Sequence, residues 1–333
     1  MAENRKISVL DLSKPATFDL DDAARQFSAA TSECGFLYVR LDDRATKYTS
    51  VLRAQQRLFF AQSLDRKESI SINQINRGYL GMGKAQMHGA RRTDQKEVFF
   101  WGREAGSNDP EVLDKVPLCG PNQWPSELPE LREAVTNYSA YIREIGEKLL
   151  QIVAHSLGAK PTFFSSRYDR TMLRGQLLYY PPCSDDADQF GVAPHSDFGC
   201  ITLLLQETAG LEVQFPDGKW VAAPPIENTL VVNIGDLLER WSNRILPSTL
   251  HRVRNRSADP CYSIAMFYDP NPTAIVDPLD LLPDQKAEFP PVLAADYILS
   301  RNKGAFKHYQ QACLLYTSPS PRDRTRSRMP SSA

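Results

Sequence analysis

Apolar residues recur along the chain in two rhythms, and the change falls just after Gly158. Before it, helical and strand spacings alternate. Ile7 to Leu12 alternates as a short strand, Ala23 to Cys34 has helical spacing, and Gly35 to Val39 predicts a second strand. Helical patterning returns from Thr46 to Ser63, with Phe59 and Phe60 as core anchors. Arg77-Gly78-Tyr79 and Gly81-x-Gly83 predict an irregular loop, Lys96 to Phe100 a short strand, and Pro117 to Pro125 a Pro-, Gly- and Asn-rich connection. From Glu127, Leu131, Val135, Tyr138, Ile142, Ile145, Leu149, Ile152 and Val153 return every three or four residues, so this stretch is a helix with Gly158 closing it. Apolar and aromatic residues at that spacing form core.

Beyond Gly158 the pattern is almost all short strands: Gln176–Tyr180, Ile201–Leu205, Leu211–Phe215, Trp220–Ala222, Thr229–Ile234, His251–Arg254 and Tyr262–Tyr268. Turns such as Pro216-Asp217-Gly218 separate them. Many short strands with regular turns predict a sandwich or jelly roll. The fold class expected is mainly β with flanking helices.

Composition narrows the function classes. The chain has 333 residues, 42% hydrophobic and 24% charged, as expected of a globular protein with a sizeable core. A net charge of −1 exerts no long-range pull on nucleic acid or an anionic membrane. No apolar run approaches the ~18 residues of a membrane span, and the N-terminus lacks a long apolar leader. Six cysteines at 34, 119, 183, 200, 261 and 313 form no CxxC pair, which predicts a reducing, cytoplasmic setting. GYLGMG lacks the strand-before, helix-after setting of a phosphate loop.

The candidate chemistry lies in GVAPHSDFGCITLLLQ. His195 and Asp197 are two residues apart, a spacing that places both on one face of a strand. An imidazole and a carboxylate there can grip a metal from one side, and His251 in STLHRVRN is the best third ligand. Two histidines and a carboxylate with open positions opposite form the facial triad of non-haem Fe(II) oxygenases; the same donors also suit a zinc hydrolase.

The chain resembles the isopenicillin N synthase-like Fe(II)/2-oxoglutarate-dependent dioxygenases. The residues that carry the likeness are ISVLDLS, GFLYV, RGYLGMG, QKEVFFWG and GPNQWP, then LLYYPP, APHSDFGCITLLLQ, GLEVQ, GKWV, LVVNIGDLLERWSN, STLHRVRN and YSIAMFYDPNP. They run in the family's order from Ile7 to Pro272. The resemblance implies a double-stranded β-helix (jelly-roll) core, with residues 1–125 as an N-terminal dioxygenase region packing on it and 126–312 as helix plus core. It implies Fe(II) on His195, Asp197 and His251, 2-oxoglutarate as co-substrate, and O2-driven oxidation (hydroxylation, desaturation or cyclisation) of a small organic molecule by a monomer.

The pattern departs from the family in two places: the arginine the family commonly carries in its xYPP strand is absent from Gln176-Leu177-Leu178-Tyr179-Tyr180-Pro181-Pro182, and one triplet has changed. The family's Arg-x-Ser triplet, whose arginine pairs with the far carboxylate of 2-oxoglutarate, is here Cys261-Tyr262-Ser263. Ser263 is kept, and Tyr180 shares a face with Gln176 and Leu178 by alternation, so both can meet the co-substrate. Arg174, Arg254 and Arg256 are candidates for the missing cation. An iron oxidase that does without 2-oxoglutarate and a non-catalytic metal-binding descendant are the alternatives. Tyr297 to Gln311 resembles the family's last helix, whereas Cys313 to Asp323 resembles the translation of a sequencing-library adapter within a basic, Ser/Pro-rich, disordered tail.

Overall fold

The computed structural model describes residues 6–87, 90–182, 190–255, 257–306 and 308–309. Arg256 and the stretch from Cys313 to Ala333 lie outside them, as do the last residues of the expected final helix.

Twelve strands form the two sheets that matter. They are β1 (Val9–Asp11), β2 (Phe36–Arg40), β3 (Gly78–Leu80), β4 (Glu97–Gly102), β5 (Met172–Tyr180), β6 (Val192–His195), β7 (Ile201–Gln206), β8 (Leu211–Gln214), β9 (Trp220–Ala222), β10 (Thr229–Ile234), β11 (His251–Val253) and β12 (Cys261–Asp269). The larger sheet has eight strands in the order β1-β2-β10-β7-β12-β5-β4-β3, and the smaller has four, β6-β11-β8-β9. Strands distant in sequence lie side by side, as a double-stranded β-helix requires. The fold is mainly β with flanking helices around this core.

The apolar rhythm sets the two faces of the large sheet. Leu177, Ile264, Met266, Leu203 and Val232 point to one face, buried with Tyr138, Ile142, Leu149 and Ile152 of the long helix Pro129–Ser156 in a single core. That helix comes close because Gly146 faces Tyr268, where an added Cβ would lie 2.5 Å from the ring. The helices Leu20–Cys34 and Arg44–Phe60 pack on the same layer through Phe27, Leu52 and Phe59. The other face of the sheet looks toward the small sheet and holds the pocket.

Two local expectations need correction. Gly78 and Tyr79, expected as irregular, lie in the edge strand β3, which pairs with Val98 to Phe100 of β4. Its shortness and glycine hide it, and the neighbouring edge supplies the pairing. Asp197 does not lie on a strand: β6 ends at His195, and a turn brings Asp197 round to the same side. Backbone bonds hold that turn, with Asp236 N–H donating to the Asp197 carbonyl at 2.8 Å and Leu237 N–H to the Gly199 carbonyl at 2.9 Å. Gly199 and Gly235 permit the contact, since a Cβ on Gly235 would lie 2.3 Å from the Gly199 carbonyl oxygen.

The seat of the long helix is testable. Gly146→Leu forces a side chain into Tyr268 and is expected to cost about 1–3 kcal/mol of stability while iron stoichiometry stays at the wild-type value. An unchanged melting temperature would show that the helix does not rest there.

Candidate active site

Sequence-distant ligands meet because β6 and β11 pair with His195 directly opposite His251. Their rings lie 4.2 Å apart. Asp197 Oδ1 stands 3.8 Å from each Nε2. Among the described residues, these three form the cluster of metal-ligating side chains, with all ligand atoms within 4.8 Å of one another.

Every other polar atom of the three is already held. His195 Nδ1 faces the Ala193 carbonyl at 2.9 Å and His251 Nδ1 the Thr249 carbonyl at 3.1 Å. A carbonyl only accepts, so each Nδ1 carries the proton and each Nε2 keeps its lone pair for a metal. Asp197 Oδ2 accepts from Thr202 Oγ1 at 2.5 Å and from Asn233 Nδ2 at 2.8 Å, which leaves Oδ1 free. Burial, with His251 acting the same way, pushes the His195 imidazole down to about 3 against the pull of Asp197. Burial alone would raise the Asp197 carboxyl; the two histidines and the Thr202 and Asn233 hydrogen bonds outweigh it and hold the group below its usual value. Neutral imidazoles beside an ionised carboxylate are the donor set a divalent cation needs.

The pocket around this cluster opens between the two sheets and reaches from Cys261 at one end to Arg174 at the other. Its floor is the inner face of the large sheet. Pairing fixes the rows: Tyr180 opposite Cys261, Leu178 opposite Ser263, and Arg174 opposite Phe267. Ser263 lies beside Gln206, and Phe267 beside Thr202. Tyr180, Cys261 and Ser263 therefore share one end of the pocket, where the Tyr180 hydroxyl lies near Ser263. Burial raises both the Tyr180 phenol and the Cys261 thiol, so both stay neutral. The thiol points to Asn255 Oδ1 at 3.0 Å.

None of the three arginine candidates brings a described cation to this end. Arg174 is six residues from Tyr180 on one strand, roughly 20 Å along it at ~3.3 Å per residue. Arg254 lies against Glu212 and the Phe190 ring. Lys96 is the cation that pattern reading missed. It lines the pocket, and the pairing of Glu97 with Tyr179 puts it level with Tyr180. Its Nζ lies 3.1 Å from buried Asp94, which neutralises it.

Comparison with known proteins agrees with this geometry. The 2OG-Fe(II) oxygenase superfamily profile matches residues 171–270, and that of the non-haem dioxygenase in morphine synthesis N-terminal region matches 7–127. The 2-oxoglutarate-Fe(II) type oxidoreductase hxnY of Emericella nidulans is 33% identical over 75% of this chain and 74% of its own.

The chain belongs to the 2OG-Fe(II) oxygenase superfamily.

Homoarginine-6-hydroxylase of Glycine max is similar at 31% identity, covering 78% of this chain and 81% of its own. A crystal structure of a 2OG-Fe(II) oxygenase family protein from Caulobacter crescentus superposes with a TM-score of 0.79 at 28% identity, over 89% of this chain and 98% of that one. A Neurospora crassa enzyme crystallised with alpha-KG and thymine gives 0.77 at 26% identity, over 90% and 97%. This oxygenase acts on a small organic substrate, with Fe(II) as cofactor and 2-oxoglutarate as co-substrate.

Thr202 and Asn233 aim the Asp197 carboxylate, and partners of this kind usually contribute 10- to 100-fold to metal affinity. Thr202→Val or Asn233→Leu is therefore expected to weaken Fe(II) binding by about that factor in an anaerobic titration. Wild-type affinity in both variants would show that the ligand needs no aiming.

Proposed function

We propose that His195 Nε2, Asp197 Oδ1 and His251 Nε2 are the iron ligands, and that Tyr180 and Ser263 receive the far carboxylate of 2-oxoglutarate. The observation that carries this is the freedom of those three ligand atoms while every second atom of the same side chains is held. Bound Fe(II), with O2 and 2-oxoglutarate, supplies a two-electron oxidation of a substrate bond. The chain's own residues present three donors on one side, keep the His195 imidazole neutral, and shape a pocket walled by apolar side chains such as Phe36, Leu204 and Val253.

Residues 1–125 act as the region that packs on the core, and 126–312 as helix plus core. The net charge of −1 supports small molecules rather than nucleic acid as partners. Free Cys34, Cys119, Cys200 and Cys261 support a reducing, cytoplasmic setting. We take the working unit to be a monomer.

The co-substrate end lacks the family's guanidinium, and Lys96 is already paired. Hydrogen bonds to charged groups are worth roughly 1.5–3 kcal/mol, about tenfold to hundredfold in affinity. Native 2-oxoglutarate binding is thus expected to be weak, and Cys261→Arg to tighten it by that factor. The anaerobic Fe(II)·2-oxoglutarate charge-transfer band measures both. Tight native binding with no gain in Cys261→Arg would place the anchor elsewhere.

A further inference from the structure

At the end of the pocket away from Cys261, two guanidiniums lie near each other and only one of them has a close carboxylate. Arg174 faces the pocket from β5, with its Nη2 2.6 Å from Asp269 Oδ2. Asp269 Oδ1 is taken by the Cys200 N–H at 2.8 Å. Arg77 lies against the Gly102 backbone, the position paired with Arg174, where an added Cβ would be 2.2 Å from its Nη2. It is 2% exposed, and its Nη atoms bond only to the carbonyls of Ile75, Asn76 and Leu118. Among the described residues it makes no ion pair. Glu104 is the carboxylate that acts on Arg77 from beyond ion-pair distance, and it is engaged by Asn122 and Trp124. Burial and Arg174 push the Arg77 guanidinium down to about 10, which leaves it charged at neutral pH.

Donors here also lack acceptors. The Nε atoms of Arg77 and Arg174 are buried with no hydrogen-bond partner. The helix Ala294–Ala305 brings the Asn302 amide, and beyond it the Tyr309 hydroxyl lies against Asn302 without a well-aligned bond. A buried guanidinium without a counterion is costly, as is each unpaired donor. The cluster is several acceptors short, and Arg77 has no carboxylate within ion-pair distance among the described residues.

We infer that this end of the pocket binds a carboxylate of the primary substrate, held by Arg174 and Asn302 with Arg77 behind them. Arg174 and Thr202 are two strands apart in one row, roughly 10 Å at a strand spacing of ~4.8 Å. Thr202 holds Asp197, so the carboxylate would be anchored about that far from the iron, and the oxidised carbon lies between. This deepens, and rests on, the oxygenase reading, because it names the substrate class as small organic acids.

Calorimetric titration of metal-free protein tests it with acetate, benzoate and phenylacetate and their amides as probes. At least one carboxylate should bind about tenfold or more tightly than its amide. Arg174→Gln should erase that preference, whereas Tyr180→Phe and Ser263→Ala, at the other end, should retain it. Arg174→Gln/Asp269→Asn removes both charges together and serves if the single variant melts early. Asn302→Leu, which alters no charge, should also lower carboxylate affinity. The inference is overturned if no carboxylate binds, if amides bind equally, if the preference survives without Arg174, or if Tyr180→Phe or Ser263→Ala abolishes it. Failure of the oxygenase reading shows separately, as absence of the Fe(II)·2-oxoglutarate band in wild-type protein.

Discussion

The buried carboxylate of Asp197 joins the two sheets. Thr202 on β7 and Asn233 on β10, both in the large sheet, hold Oδ2. Oδ1 turns toward His195 and His251 on the small sheet. An ionised group so buried survives only with such partners, and loss of any of them leaves charge or donors stranded. The turn that carries Asp197 is itself tied by backbone bonds to residues 236 and 237. Metal chemistry and sheet packing therefore depend on the same few contacts.

Much of this was legible in the sequence, for physical reasons. Alternation marks strands, and the run of strands after Gly158 follows it closely; helical spacing marks the long helix to within two residues at its start. The candidate ligands were legible because HxD and a later strand histidine sit within an ordered series of family-like motifs, HxD alone being a weak signal. Thr202 and Asn233 were not, since threonine is an ordinary strand residue and Asn233 is remote in sequence from Asp197. A polar Asn233 inside the buried strand LVVNIG is the signal that was available. The position of Asp197 off the strand depends on glycine contacts between segments some 36 residues apart. No periodicity encodes that.

The two ends of the pocket contrast in charge. Cys261, Ser263 and Tyr180 offer neutral groups with Lys96 already paired, while the other end holds Arg174, paired with Asp269, and the buried Arg77, which has no ion pair among the described residues. Strand register explains why Arg174 cannot serve both ends, for Arg174 and Tyr180 are fixed along the same strand β5. The single residue at 261 thus leaves the iron donors intact and alters the co-substrate end alone.

The most direct test is release of succinate and CO2 by the purified protein across a screen of small organic molecules. The account predicts release that requires both Fe(II) and 2-oxoglutarate, rises with a true substrate, and disappears in His251→Ala. Substrate oxidation that proceeds at full rate without 2-oxoglutarate would contradict it.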